Sequence, residues 1–219
     1  MPRLLFEKKG NAVWISHLDL MRLFQRAFKR AGLRLKHTQG FNPRPSVSIA
    51  LPLSVGVESS CELLDFDLDA NTETFDNIRD RLNQTLVDGV CVLRVYADGD
   101  KIRKLTLLDC SVLMTYDSGV PAEAVQNISA LFQREQIILP KKTKSGVQDQ
   151  NIIPMICNVD VAQINAHTIE LRALIHCQNP TLNPAQLSLA VAVCLPDLKP
   201  DHSNYIRHEI YDDQKNVFR

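Results

Sequence analysis

The segment from Ser16 to Gly32 constrains the fold most, because its sequence marks a helix and both of its ends. Ser16 is followed by Asp19 at the spacing of a capping box, and Gly32 stands where helices commonly place a glycine just past their C-terminal end. The sequence therefore predicts an α-helix that Ser16 opens and that ends at Ala31. At about 100° per residue, one face of this helix is basic and the opposite face is apolar. The apolar face consists of Leu20, Leu23, Phe24, Ala27, Phe28 and Ala31.

Strand and helix patterns surround this helix in the order β-α-β-β-α-β, which is the order of ferredoxin-like folds. Strand patterns lie at 3–9, 61–68 and 91–96, a further strand or extended loop lies at 43–53, and Thr72 is placed to cap a second helix at 73–86. Element order alone suggests that the rest of the chain repeats this arrangement. It has strands at 105–116, 136–139, 168–177 and 205–211, an extended stretch at 152–161, helices at 121–135 and 184–194, and a polar loop at 140–150. We therefore predict an α+β fold of two tandem ferredoxin-like (β-α-β-β-α-β) halves, residues 1–100 and 101–219.

The 219 residues carry no formal net charge, which argues against a general polyanion binder, but the charges are unevenly distributed. Residues 1–48 hold ten lysines and arginines against two acidic residues, whereas residues 58–100 hold eleven acidic residues against three arginines. Such asymmetry indicates a dipolar surface with one basic face. The alternative interpretation is that the two segments neutralise each other across a shared interface.

No apolar run reaches the length of a membrane span, and the N-terminus has neither the apolar core nor the cleavage site of a signal peptide. The six cysteines include no C-x-x-C pair, which favours reduced thiols over a metal site or a disulfide framework. We therefore expect a cytoplasmic protein that has no membrane association, no metal and no bound cofactor.

The basic face of the first helix is the first candidate site. Like charges at helical spacing repel one another, so such a face costs stability unless an anion or an acidic partner binds it. Phosphate backbones are bound by spaced positive charges of this kind. A solvated helix face is the alternative interpretation. The face consists of Arg22, Arg26, Lys29 and Arg30, and Arg34 and Lys36 extend it.

The loop at 38–46 is the second candidate site, because two prolines and a glycine restrict its backbone. Phe41 suits base stacking, and Asn42 and Arg44 suit contacts to bases or phosphate. For the ring of Phe41, the alternative interpretation is a buried anchor that holds the loop in place. We expect Arg44, Asn42 and His37 to line one concave surface with the end of the first helix or a lysine-rich segment, near His17.

That lysine-rich segment contains Lys141, Lys142 and Lys144, and is typical of a cationic loop that closes over an anionic ligand. Its spacing differs from that of a P-loop, so it does not predict binding of a nucleoside triphosphate. Solvated surface charge is the alternative interpretation.

His17 is a weak candidate for a catalytic residue. A helix N-terminus favours neutral imidazole, which a general base requires, and nearby lysine or arginine would stabilise a phosphorane. His17 also falls toward the apolar side of the helix, where a hydrogen bond within the fold is the simpler role. No G-x-S-x-G or H-E-x-x-H motif is present. Apart from the weak candidate His17, we therefore predict no catalytic residue.

Distinctive short motifs lie at 15–22, 26–33, 40–45, 50–53, 56–59 and 62–65. They resemble those of the radical-SAM-linked proteins, an uncharacterised bacterial family whose members are fused to a radical-SAM domain or encoded beside one. The resemblance continues more loosely through 142–146, 179–184 and 205–207. It implies a substrate-binding partner of a radical-SAM enzyme. This chain lacks the C-x-x-x-C-x-x-C motif of the fused members, so the resemblance implies no radical chemistry by this chain alone.

The sequence therefore leads to one main hypothesis and two alternatives. The main hypothesis is a non-catalytic accessory protein, an RNA-binding or substrate-presenting module for a separate radical-SAM enzyme that modifies RNA. RNA and a radical-SAM protein are the expected partners. The alternatives are a metal-independent endoribonuclease that uses His17 and a module that binds only proteins.

Overall fold

The computed structural model describes residues 1–69, 73–97, 99–143 and 146–219, with the side chains of residues 142 and 143 left aside. The chain forms two compact units, an N-terminal unit of Met1–Ile102 with Arg219, and a C-terminal unit of Arg103–Phe218. Both units combine helices with antiparallel strands, so the predicted α+β class is confirmed. Among the described residues, no helix is both long enough and apolar enough to cross a membrane.

The N-terminal unit follows the predicted element order. Its elements are β1 (Arg3–Lys8), α1 (His17–Arg30), β2 (Val47–Ile49), β3 (Val57–Phe66), α2 (Phe75–Asn83) and β4 (Val90–Tyr96). The strands lie side by side in the order β4-β1-β3-β2, and each neighbouring pair is antiparallel. Along the chain, each helix therefore connects two strands that are not neighbours in the sheet.

Helix α1 packs its apolar face on this sheet, as the sequence predicts. The rings of Phe6 and Phe24 meet edge to face with centroids 4.8 Å apart, and the rings of Phe28 and Phe66 lie 5.0 Å apart. All four rings are fully buried, and aromatic pairs at these distances add to the stability that burial provides. Burial of this face leaves the basic face of α1 toward solvent.

Both ends of α1 form through local interactions. Ser16 is the N-cap, and its Oγ accepts a hydrogen bond from the backbone N of Asp19 at 3.2 Å. At the other end Gly32 has a φ of +69°, a left-handed conformation that favours glycine. The backbone N of Leu33 donates to the carbonyl of Phe28 at 2.9 Å, which is the long hydrogen bond of a Schellman motif.

Helix α2 is shorter than predicted at both ends. Thr74 is its N-cap and accepts a hydrogen bond from the backbone N of Asn77 at 3.3 Å, whereas Thr72 lies outside the described residues. The helix ends at Asn83, whose side chain exchanges two hydrogen bonds with the backbone of Val92 in β4, at 2.8 and 2.9 Å. This contact ties the C-terminal end of α2 to β4. The strand predicted over 43–53 is likewise confined to Val47–Ile49.

The C-terminal unit contains more strands than predicted. Its elements are β5 (Leu107–Thr115), α3 (Ala124–Phe132), β6 (Ile138–Thr143), β7 (Gly146–Asn151), β8 (Ile156–Asn165), β9 (Thr168–His176), α4 (Ala185–Cys194) and β10 (His202–Tyr211). Four of the strands form one sheet in the order β10-β5-β9-β8, again with antiparallel neighbours. The alternating apolar side chains of β9 are buried as predicted, namely Ile169, Leu171, Ala173 and Ile175.

Strand β6 begins within the short strand predicted at 136–139, and the rest of β6 and most of β7 occupy the segment predicted as a polar loop, 140–150. They pair with each other as an antiparallel hairpin, with Leu139 opposite Gln150 and Lys141 opposite Gln148. This hairpin is a separate two-stranded sheet, and the described side chains of β7 are mostly exposed. Because no face of β7 is buried, its sequence lacks the apolar alternation that identifies a half-buried strand.

Candidate nucleic-acid interface

Three arginines of α1 line one groove in the N-terminal unit, which we call the arginine groove. Arg22, Arg26 and Arg30 follow one another at intervals of one helical turn, so their side chains form a single ridge. The groove has a volume of about 440 Å³. Three positive charges on one concave surface attract an anionic chain more strongly than the same charges on a convex surface. The other lining residues are Ile15, Asp19, Leu23 and Val87.

The three arginines are held to different degrees. Arg22 donates from Nη1 to Oδ1 of Asp19 at 2.9 Å, and Arg30 donates from Nη2 to the carbonyl of Thr85 at 2.6 Å. Arg26 forms no hydrogen bond and no ion pair with any residue that the structure describes. The middle position of the ridge therefore presents an unpaired guanidinium to the groove.

A second concave surface begins at the neighbouring helix residues Gln25 and Lys29, and we call it the His37 cavity. Its volume is about 580 Å³. Lys29 and Arg34 supply its fixed positive charge, and their side chains have no hydrogen-bond or ion-pair partner within the described part of the chain. Asp69 adds a carboxylate, and its backbone N donates to the carbonyl of Arg34 at 3.0 Å. The remaining lining residues are Gly32, Leu33, Leu35, His37 and Pro45.

The loop of the second candidate site begins beside this cavity. A β-bridge joins His37 to Pro45, and inside it the backbone N of Thr38 donates to the carbonyl of Arg44 at 2.8 Å. The backbone N of Arg44 donates in turn to Oγ1 of Thr38 at 3.1 Å. These bonds close the base of the loop. The ring of Phe41 is fully exposed, so the alternative role of a buried anchor is excluded.

The predicted concave surface therefore forms only in part. His37 and Lys29, at the end of α1, do line one cavity. Asn42 and Arg44 are exposed but are not among its lining residues, and neither is His17. The loop thus projects its polar side chains into solvent beyond the cavity.

The acidic residues of 58–100 form ion pairs with only some of the basic residues of 1–48. Arg3 pairs with Asp65 at 2.6 Å, and Lys36 pairs with Asp67 at 3.1 Å. The interpretation of mutual neutralisation applies to these pairs. It does not apply to Arg30, which donates to the backbone carbonyl of Thr85, or to Arg26, Lys29, Arg34 and Arg44, whose side chains form no ion pair with any described residue.

His17 lies half-buried in the first turn of α1. Its Nδ1 is buried and has no hydrogen-bond partner among the described residues. Asp19, the nearest acidic residue in sequence, instead accepts hydrogen bonds from Oγ of Ser16 and from Arg22. A catalytic histidine usually needs a second group to fix its ring, so this geometry does not support His17 as a general base.

Lys8 was missed by sequence reasoning, although it supports the start of α1. It is fully buried, and its Nζ donates to the carbonyls of Val13 and Ile15, both at 3.1 Å. These carbonyls belong to the segment just before the N-cap Ser16. Its place at the end of the β1 pattern, where the side chains alternate between the two faces, is the signal that could have indicated burial.

The lysine-rich segment belongs to the C-terminal unit. Lys141 is half-buried in β6, the side chain of Lys142 is not described, and Lys144 lies outside the described residues. Among the residues that the structure covers, no three histidine, cysteine or acidic side chains are grouped as metal ligands would be.

A polar cluster in the C-terminal unit was also missed by sequence reasoning. Ser111 donates from Oγ to Oε1 of Glu170 at 2.5 Å. Nε2 of His208 lies 2.7 Å from the same Oγ of Ser111. Because the only proton of the serine goes to Glu170, His208 must be the donor in the second bond. Ser111 is also fully buried. A nucleophilic serine would need the reverse proton direction and access to substrate, so the cluster is structural.

The family of this chain is established by a match that covers most of its length. The model of a family described as "Uncharacterized protein conserved in bacteria (DUF2344)" matches residues 2–184. The chain belongs to DUF2344. No curated protein matches the sequence. The family assignment therefore gives a relationship to other bacterial proteins without an activity.

Solved structures with very different sequences match the DUF2344 chain, and the first of the two named here has a similar fold. One is a chain of the "Crystal Structure of a Cbf5-Nop10-Gar1 Complex", with a TM-score of 0.54 and 9% identity over 95% of this chain and 48% of that chain. Another is a chain of the "Crystal structure of the archaeal box H/ACA sRNP Nop10-Cbf5 complex", with a TM-score of 0.45 and 9% identity over 94% and 46%. This chain spans about half the length of both. At such identity the likeness concerns the fold alone.

Proposed function

We propose that this DUF2344 protein binds RNA through the arginine groove and acts as a non-catalytic accessory module. The unpaired guanidinium of Arg26, set between Arg22 and Arg30 on one concave surface, is the observation that supports this proposal most. Consecutive arginines of the ridge are about 6 Å apart along the helix axis, so they can contact different phosphates of one strand. Arginine can bind a phosphate through two parallel hydrogen bonds, so each guanidinium of the ridge suits one phosphate of a strand.

The accessory role rests on two further features. The first is the resemblance of the motifs in the N-terminal half to radical-SAM-linked proteins, which is the support for a radical-SAM enzyme as partner. The second is a pair of exposed apolar side chains at the start of α1, Trp14 at 70% and Leu18 at 66% of their full exposure. Aromatic side chains such as that of Trp14 are enriched where proteins dock. They also support the alternative in which the module binds only proteins.

We further propose that each unit is a ferredoxin-like fold, as the sequence predicts. The support is the strand order, which is β4-β1-β3-β2 in the first unit and β10-β5-β9-β8 in the second, with antiparallel neighbours in both. In this interpretation the β6–β7 hairpin is an insertion into the second unit. The insertion would explain why the second half has two strands beyond the expected order.

RNA binding is tested with a double charge reversal in the groove, Arg22→Glu with Arg26→Glu. Affinity for a fluorescein-labelled RNA stem-loop is measured by fluorescence anisotropy at about 50 and about 200 mM salt. We expect the wild-type affinity to fall steeply with salt. The double variant should bind at least about fivefold more weakly and show a shallower salt dependence, because two phosphate contacts are lost.

The matched control is Lys101→Glu with Arg134→Glu, which changes the net charge by the same amount at positions outside the arginine groove. Lys101 and Arg134 are exposed, and their side chains have no hydrogen-bond or ion-pair partner among the described residues. Their reversal should leave RNA affinity nearly unchanged. Equal losses in both double variants would mean that net charge alone governs binding. Wild-type affinity retained in a folded Arg22→Glu, Arg26→Glu protein would refute the arginine groove as the RNA site.

A further inference from the structure

The His37 cavity differs from the arginine groove in size and in chemistry. Its volume of about 580 Å³ lies in the range of cavities that accept a small organic molecule. Lys29 and Arg34 provide two cations without a described partner, whereas Gln25 and Asp69 provide an amide and a carboxylate. The carboxylate of Asp19 in the arginine groove is paired with Arg22, whereas the carboxylate of Asp69 has no side-chain partner among the described residues and stays available to a ligand. The two cations suit a phosphate, and the amide and the carboxylate suit the polar edge of a base.

The loop next to the cavity carries a ring that the fold does not use. Phe41 has a relative exposure of 109%, so it contributes nothing to the core. The two hydrogen bonds between Thr38 and Arg44 close the loop at its base, while the residues between them project outward. An aromatic ring exposed to water on a loop that adjoins a cavity with cationic side chains is typical of surfaces on which unpaired bases stack.

We infer that the His37 cavity and the Phe41 loop bind an unpaired nucleotide, so that the protein prefers single-stranded RNA to duplex RNA. This inference rests on the proposed RNA binding and names the class of RNA. A base stacks on the ring of Phe41, Lys29 and Arg34 bind the adjoining phosphate, and Asp69 and Gln25 are available to the polar edge of a base. In an A-form duplex the bases are stacked and paired inside the helix, so neither the ring nor the cavity can reach them.

The test compares two fluorescein-labelled RNAs of equal length, oligouridine as the single strand and a mixed-sequence duplex. We expect the wild type to bind the single strand at least about fivefold more tightly than the duplex, since only the single strand can stack. Phe41→Ala should weaken binding of the single strand by about 5- to 150-fold, which corresponds to the loss of one base–aromatic stack, and should leave duplex binding unchanged. Phe41→Trp, which keeps a stacking surface, should retain the preference.

Val55→Ala is the matched control, because Val55 is an exposed apolar residue of the same unit outside both concave surfaces. It should change neither affinity. Arg34→Gln should weaken binding of the single strand more than binding of the duplex.

The outcomes separate the two proposals. Equal binding of both RNAs, together with unchanged single-strand affinity in Phe41→Ala, would overturn this inference and leave RNA binding by the arginine groove standing. Failure of the wild type to bind either RNA would overturn both. A preference for the duplex would also contradict the inference, because it would mean that backbone contacts alone determine binding.

Discussion

Arg22 Nη1 lies 2.9 Å from Oδ1 of Asp19, so one arginine of the groove already contacts a carboxylate of its own helix. Oγ of Ser16 donates to the other oxygen of Asp19 at 2.7 Å. The hydrogen bond from Ser16, followed by that from Arg22, lowers the pKa of the Asp19 carboxyl, which therefore remains ionised at neutral pH. This contact fixes the first turn of α1 and reduces the charge that the groove offers to an anion.

Asp19→Asn should therefore strengthen RNA binding. Removal of this carboxylate frees Arg22 and lowers the repulsion between the groove and a phosphate, so we expect affinity to rise about two- to fivefold near 100 mM salt. Asp76→Asn is the control, because Asp76 forms the same i,i+3 pair with Arg79, at 2.8 Å, in α2 rather than α1. Anisotropy titrations that show equal gains for both variants, or a loss for Asp19→Asn, would contradict this role of Asp19.

Arg44→Ala should reduce RNA binding without a change in stability. The side chain of Arg44 is exposed and has no described hydrogen-bond or ion-pair partner, whereas its backbone bonds to Thr38 do not depend on the side chain. We expect the binding free energy to weaken by about 1–3 kcal/mol, the range for a charge-assisted contact. Calorimetric melting should give the wild-type temperature. A large drop in melting temperature with unchanged binding would instead show that Arg44 holds the loop together.

Gly32→Ala should destabilise the N-terminal unit. Gly32 has a φ of +69°, and an added Cβ would lie 2.8 Å from Nη2 of Arg81, which donates to the carbonyl of Ala31. The left-handed conformation alone costs a residue with a side chain about 1–2 kcal/mol, and displacement of Arg81 adds to this loss. Gly10→Ala separates the two effects, because Gly10 has a φ of +53° with nothing within 4 Å of the added carbon. Urea unfolding should show the larger loss for Gly32→Ala, and equal losses would mean that Arg81 moves aside without cost.

The cluster around His208 should make the C-terminal unit less stable in mild acid. Burial lowers the pKa of His208 and nearby Arg172 lowers it further, although Asp109 and Glu170 act in the opposite direction. In the unfolded chain the imidazole binds its proton near pH 6.5, above the pKa of the folded state. The stability that neutral His208 contributes is therefore fully present above about pH 6.5, and it is lost as the pH falls through the lower folded pKa.

The measurement is the melting temperature of wild type and His208→Gln at several values between about pH 8 and about pH 5. We expect the wild-type melting temperature to fall more steeply toward acid than that of the variant. His202→Gln, which alters an exposed histidine of the same strand, should follow the wild type. Parallel curves for wild type and His208→Gln would show that protonation of His208 does not affect folding.

The exposed candidate residues show which features of the site the sequence predicts and which it does not. The periodicity of α1 correctly separates the buried face from the basic face, because the period of a helix is fixed by its local geometry. It cannot show that Lys36 pairs with Asp67 while Arg26 stays unpaired, since these outcomes depend on residues far away in the chain. The cavity beside His37 is missed for the same reason, because its lining comes from α1, the segment after it and Asp69.

The sequence by itself determined the elements whose causes are local. Ser16 and Gly32 set the ends of α1, because a side-chain cap and a left-handed glycine act within one turn of the backbone. Only the tertiary structure decided features that depend on distant contacts. The bonds between Asn83 and Val92 tie the end of α2 to β4, and the pairing of β6 with β7 forms a hairpin from a segment without apolar alternation. Hydrogen bonds between strands join backbone groups, which every residue carries, so polar strands leave little trace in the side-chain pattern.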